Sequence, residues 1–231
     1  MQVLYEDNHI IIVHKESGEI VQGDKTGDIP LSETVKDWIK KEHNKPMNVF
    51  LGVVHRLDRP AQGIVVFAKT SKALARLNKM FASQEIQKTY WVITENLPRE
   101  CEISEENFIT LHNWLVRNEK QNKSYAYDRE KVGAKEAILE YRLLASGKKY
   151  HLLEVKLHTG RHHQIRCQLA HIGCPIKGDL KYGAKRSNPD GSISLLAHKV
   201  EFEHPVSHNV ISVESPLPGL FGKILYENNI E

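Results

Sequence analysis

The sequence predicts an α+β fold. Segments with strand character outnumber those with helical periodicity, and several strands are linked as hairpins. The two types do not alternate in the regular order that a parallel α/β sheet requires. A chain of 231 residues, 40% hydrophobic and 26% charged, is long enough to bury a substantial core. No Gly/Ser/Pro-rich linker interrupts it, so residues 1–231 are expected to form one domain.

The elements follow in order along the chain. Residues 9–14 (HIIIVH) are a short, Ile-rich strand. Leu31, Val35, Trp38 and Ile39 recur at helical spacing, with Ser32 expected as the N-cap. Residues 49–54 and 64–69 read as strands flanking the charged turn HRLDRPAQG. Ser71 is expected to cap a second helix with Leu74, Leu77 and Phe81 on one face. Residues 89–94 (TYWVIT) are aromatic and β-branched, as strands prefer. Residues 137–144 and 150–157 form a predicted hairpin around Ser146-Gly147-Lys148. Leu153, Val155 and Leu157 alternate with polar residues in its second arm. Ile165, Leu169 and Ile172 mark a third helix, stopped by Gly173 and Pro175. Strands at 193–197 and 210–213 complete the set.

A net charge of +3, with thirteen histidines uncounted, permits nucleic acid without demanding it. The basic residues are clumped around aromatics, however. Lys177, Lys181, Lys185 and Arg186 share a Gly-rich loop with Tyr182, and Lys120, Lys123 and Arg129 surround Tyr125 and Tyr127. That mixture suits a phosphate backbone with stackable bases, or simply two solvated loops. Three scattered cysteines, Cys101, Cys167 and Cys174, build no disulfide framework, so a reducing cytoplasm is the expected compartment. Glu6 and Asp7 precede the only early apolar run, so no signal peptide is expected, and no stretch is long enough to span a membrane.

On the third helix, His163, Cys167 and His171 fall at i, i+4 and i+8, a spacing that suits zinc. No fourth ligand stands at recognisable spacing, and three ligands along one helix rarely converge, so no metal is expected. Arg161 is expected at the N-terminus of this helix, where anions are attracted. Arg166 lies beside the apolar positions Ile165 and Leu169 and therefore needs a carboxylate. Asp58, also at an apolar border, is the candidate. Such a pair either ties a loop to a helix or holds an ionised carboxylate for chemistry.

Five ordered motifs carry a resemblance. His55-Arg56-Leu57-Asp58 with Gly63 and Ala68-Lys69-Thr70 resembles the segment around the catalytic aspartate of RluA-type pseudouridine synthases. Val3-Leu4-Tyr5-Glu6-Asp7 with His9-Ile10-Ile11 is similar to that family's opening strand, and Lys88-Thr89-Tyr90 to its tyrosine segment. Thr159-Gly160-Arg161 with His163-Gln164-Ile165-Arg166 is similar to its third motif. Pro175-Ile176, Gly178-Asp179, Tyr182-Gly183 and His204-Pro205 match its later landmarks. The chain departs from the family at Ala61-Gln62, at His14-Lys15-Glu16-Ser17-Gly18 and at His162.

The resemblance implies a mixed, mostly antiparallel sheet with flanking helices and a central active-site cleft. It implies cofactor-free isomerisation of a uridine in structured ribosomal or transfer RNA by a monomer. Asp58 is then the nucleophile at the sugar and Arg166 its ionic partner. Tyr90 stacks on the base, Arg56 fills the space that the flipped uridine leaves, Arg161 contacts RNA and Leu196 forms an apolar wall. The chain starts on the family's catalytic-domain strand, so the S4 RNA-binding domain of many relatives is expected to be absent. Two rivals stand beside this reading. One is an inactive RNA-binding or assembly factor of the same fold, and the other is a metal-dependent hydrolase built on His163, Cys167 and His171.

Overall fold

A computed structural model describes every residue except 100, 101, 105 and 228–231, so Cys101 lies outside the described residues. Eleven strands and four α-helices are present among the described residues: β1 (Gln2–Glu6), β2 (Ile10–Lys15), α1 (Leu31–Glu42), β3 (Gly52–Val53), β4 (Gln62–Ala68), α2 (Ser71–Ala82), β5 (Gln87–Thr94), β6 (Ile109–Asn118), β7 (Lys123–Tyr127), β8 (Lys135–Ser146), β9 (His151–Leu157), α3 (Gln164–His171), β10 (Leu195–Glu203), β11 (Val210–Glu214) and α4 (Gly219–Glu227). A single 3-10 turn covers Leu180–Tyr182. The α+β class is therefore observed. The chain divides into two compact units, the first of residues 1–88 with 197–216 and the second of residues 89–196 with 217–231.

In the first unit, β2 pairs antiparallel with β1 and with β4, and β11 pairs antiparallel with β10. Both faces of β2 and β4 are covered, which is why the Ile-rich run does not alternate with polar residues. Ile10, Ile12, Ile64, Val66 and Ala68 pack with Ala73 and Leu77 of α2. From the other face, Ile11, Val13, Val65 and Phe67 pack with Leu31, Val35 and Ile39 of α1. Ser32 is not the cap of α1. Pro30 is, and the N–H groups of Leu31 and Ser32 donate instead to the carbonyls of Ile20 and Val21 (2.7 and 3.2 Å). Those backbone bonds satisfy the first donors, so no capping side chain is required. Thr70, not Ser71, caps α2, accepting from the Ala73 N–H at 3.1 Å. The strand expected over residues 49–54 shrinks to β3, which pairs with Phe67 and Ala68 before the chain leaves for the charged turn.

In the second unit the strand order is β5-β9-β8-β6-β7, antiparallel throughout, with β7 at its edge. Strands β6 and β7 and helix α4 were not among the expected elements. Residues buried along β8 alternate strictly from Ala137 onward, the signature of a half-covered sheet. Phe221 and Ile224 of α4 pack with Ile93, Ala145, Leu152 and Leu196. Helix α3 is fixed to β6 and β8 by Gln168, whose amide donates to the Leu111 and Ala137 carbonyls and to Asn113 Oδ1 (3.2, 3.2 and 2.9 Å).

Candidate active site

The charged turn between β3 and β4 is over-determined by three residues of the first unit. His55 Nε2 accepts the Val66 N–H at 2.9 Å, and its ring stacks on Phe81 with centroids 4.8 Å apart. Burial, aided by the Lys88 charge, pulls the His55 pKa down to about 3, so the imidazole stays neutral and able to accept. Gly63 has φ of +115°, and a Cβ there would collide with the backbone of Ala197. Only glycine lets β4 start so close to β10.

The third residue is Lys15, whose side chain is fully buried at the end of β2. Its ammonium donates to the carbonyls of Glu16, Asp58, Arg59 and Ala61 at 3.1, 3.2, 3.1 and 2.6 Å. Three of those four carbonyls belong to the turn that carries Asp58. Burial lowers the Lys15 pKa to about 8, while the carboxylates of Glu19, Asp58 and Glu16 oppose that shift. The Gly18 N–H and Ser17 hydroxyl add bonds to the Arg59 and Pro60 carbonyls (2.9 and 3.2 Å). Within this frame Arg56 is exposed, Leu57 packs against the α1-side core, and Asp58 is half-buried. Ala61, where the family pattern differs, is buried and gives Lys15 its shortest bond.

The second unit carries the other expected residues. Tyr90 is buried on β5, opposite Val155. Arg166 is only 4% exposed on α3 and forms a bidentate pair with the equally buried Asp179 (Nε–Oδ2 2.6 Å, a second N–H to Oδ1 2.9 Å). The burial was expected, but the Asp179 partner was missed. Its only sequence signal was the Gly178-Asp179 landmark. The guanidinium also lies 5.1 Å from the centre of the Tyr182 ring. Leu196 is fully buried in the core with Ile93, Leu152 and Phe221.

Arg161 requires a correction, because α3 begins three residues later, at Gln164, after His163 in the left-handed conformation. Gln164 Oε1 accepts from the Arg161 N–H (2.9 Å) and the Thr159 hydroxyl (2.8 Å), which keeps that turn outside the helix. The Arg161 side chain, exposed, donates from Nε to the Glu136 carbonyl at 2.8 Å. The three residues spaced for zinc each have a separate partner. His163 pairs with the Tyr182 hydroxyl (3.0 Å), Cys167 with the Ser124 carbonyl (3.2 Å) and His171 with Asp128 (2.6 Å). Burial raises the Cys167 thiol to about 12, which keeps it protonated.

Comparison with known proteins gives one consistent answer. The model of the RNA pseudouridylate synthase family matches residues 9–171. The tRNA pseudouridine synthase C of Pectobacterium carotovorum is 27% identical over 93% of this chain, and the chain spans 58% of that relative's length. An uncharacterized RNA pseudouridine synthase of Chlorobaculum parvum is 31% identical over 94% of this chain and 70% of its own. Among solved structures, Human RNA Pseudouridylate Synthase Domain Containing 4 shares the fold with a TM-score of 0.78 at 22% identity, covering 100% of this chain and 94% of the other. The chain belongs to the RNA pseudouridylate synthase family, in its RluA-type branch.

Proposed function

We propose that residues 1–231 act as one catalytic domain that isomerises a specific uridine of ribosomal or transfer RNA to pseudouridine, with Asp58 as the nucleophile. The observation that carries this reading is the framing of the Asp58 turn by Lys15, His55 and Gly63, which holds one carboxylate on a rigid backbone. The glycosidic bond from N1 to C1′ breaks as Asp58 adds at C1′, or as the sugar passes through a glycal. The uracil turns and C5 bonds to C1′ as the Asp58–C1′ ester bond breaks and frees the carboxylate, or, on the glycal route, as the proton taken from C2′ is returned. The C5 proton leaves and N1 gains one, so atoms balance without cofactor or metal. In this reading Arg166, itself held by Asp179, serves as the ionic partner of Asp58, Tyr90 stacks on the base near C5, and Leu196 backs the apolar side of the pocket. Arg56 takes the place of the flipped nucleotide, and Arg161 contacts the RNA backbone.

Cys167 and Cys174 are free thiols, and no helix among the described residues is long and apolar enough to cross a membrane. Action as a monomer in the cytoplasm is part of the proposal. The test is incubation with total cellular RNA lacking its modifications, followed by mapping of pseudouridine. One or a few defined sites are expected. Their absence, with RNA binding intact, overturns the enzyme reading.

A further inference from the structure

Tyr182 occupies a position that the proposed chemistry does not use. It is 7% exposed and sits in the same 3-10 turn as its neighbour Leu180, directly after Asp179. Its ring faces the Arg166 guanidinium at 5.1 Å and the Lys123 ammonium at 5.1 Å, so one aromatic face system serves two cations. Its hydroxyl accepts the Ser124 N–H at 2.8 Å, the outward-facing donor of the edge strand β7, and pairs with His163 at 3.0 Å. Ser124 in turn donates its hydroxyl to the His162 carbonyl (2.8 Å), and its own carbonyl takes the Cys167 thiol (3.2 Å). Lys181, next to Tyr182, donates to the Asn122 carbonyl at the tip of the same hairpin (3.1 Å).

The hairpin of β6 and β7 is thus stitched to the turn that carries Asp179, and Asp179 holds Arg166. That hairpin also presents a surface suited to RNA. Tyr125 is exposed with Lys123 5.5 Å from its ring, and Lys131 lies 4.2 Å from the ring of Tyr127. Aromatic faces with adjacent cations accept stacked bases and phosphates.

We infer that Tyr182 is a positioning residue that couples RNA seated on the β6–β7 hairpin to the orientation of Arg166. The inference rests on the pseudouridine synthase reading of the site and adds to it a path by which binding sets the active arginine. The hydroxyl fixes the hairpin strand, the ring fixes the guanidinium, and both are parts of one rigid side chain. RNA that displaces Lys123 from the ring, or draws β7 outward, changes what Arg166 faces.

The test is Tyr182→Phe in the full chain, which keeps the ring and removes the hydroxyl that links Ser124 and His163. Two readouts are needed. One is the single-turnover rate of pseudouridine formation at saturating RNA, together with the RNA dissociation constant. The other is the Arg166 Nε–Hε signal in isotope-labelled protein, followed as an unmodified uridine-loop RNA hairpin is added. The saturating rate is expected to fall about five- to tenfold, the worth of the Ser124 link that carries the coupling, while the dissociation constant changes less than about twofold. The RNA-induced shift of the Arg166 signal is expected to shrink to less than half.

An unchanged rate with an unchanged shift overturns the coupling. If wild-type protein makes no pseudouridine yet the Arg166 shift depends on Tyr182, the enzyme reading fails and the coupling stands. Should Tyr182→Phe not fold, Lys123→Met probes the same path from the hairpin. It must lower the saturating rate and the Arg166 shift, and failure to lower either refutes the inference.

Discussion

Replacing Lys15 by Met removes the donor that gathers three carbonyls of the Asp58 turn, at nearly constant side-chain volume. Its energetic consequence can be worked from the structure. Ala61 is buried and loses its partner, at about 1–3 kcal/mol, and each of the other three bonds contributes about 1 kcal/mol. Against this, the wild type keeps a fully buried ammonium whose pKa of about 8 lies below the ordinary 10.5. At about 1.4 kcal/mol for each pH unit, that burial costs roughly 3 kcal/mol at neutral pH. The two effects largely offset, so Lys15→Met is expected to lose only about 1–3 kcal/mol at pH 7.

The turn itself loses its anchor, however, and a displacement near 1 Å at a reacting group lowers kcat about 100-fold. The pH dependence separates these contributions. A folded pKa below the unfolded one means that the unfolded chain binds the extra proton between them. The pH-linked part of the stability from Lys15 is therefore absent below pH 8, rises from 8 to 10.5 and is complete above it. Urea denaturation of both proteins from pH 7 to 10, with single-turnover kinetics at pH 7.5, measures all of this. The gap between wild type and Lys15→Met should widen by up to about 3 kcal/mol with rising pH. A constant gap, or a variant with wild-type kcat, refutes the role given to Lys15.

Three further outcomes follow from the same geometry. Gly63→Ala forces a Cβ into the Ala197 backbone at φ +115° and should cost about 3 kcal/mol in chemical denaturation, whereas a loss below about 1 kcal/mol contradicts the close approach. The depressed His55 pKa means a contribution present above pH 6.5 and lost as pH falls toward 3. Wild-type stability should climb across that window more steeply than His55→Phe, by a slope approaching about 1.4 kcal/mol per unit, and parallel profiles would exclude a neutral His55. Asp179→Asn removes the bidentate carboxylate from a buried guanidinium and should destabilise by about 3 kcal/mol in urea, with an effect below about 1 kcal/mol counting against the pair.

What could be read from the sequence follows from which forces are local. The Ile-rich β2 declared itself as a continuous apolar run buried on both faces, and β9 through the alternation of Leu153, Val155 and Leu157 with polar residues. Strand β6 did not, since His112, Asn113, Arg117 and Asn118 interrupt its apolar residues and its pairing is set by β8 and β7 across the chain. The α1 cap was misplaced because its first donors are satisfied by Ile20 and Val21, distant in sequence from any capping signal, and the α2 cap because Thr70 and Ser71 are adjacent residues of types that both cap helices. In the site, Asp58 and Arg166 stood out as charges at apolar borders. Asp179 and Lys15 are understood only once folding brings them to Arg166 and to the turn. Lys15 lies within one of the segments that depart from the family pattern, and its bond to the Ala61 carbonyl joins that segment to the other at the turn.

The most direct measurement compares wild type with Asp58→Asn on RNA that lacks its modifications, scoring pseudouridine position by position alongside RNA affinity. The near-isosteric amide keeps the shape of the turn and removes the nucleophile. Wild type is expected to form pseudouridine at defined positions, and Asp58→Asn to bind the same RNA with similar affinity and form none. Pseudouridine formed by Asp58→Asn at a rate near that of wild type would contradict the central claim.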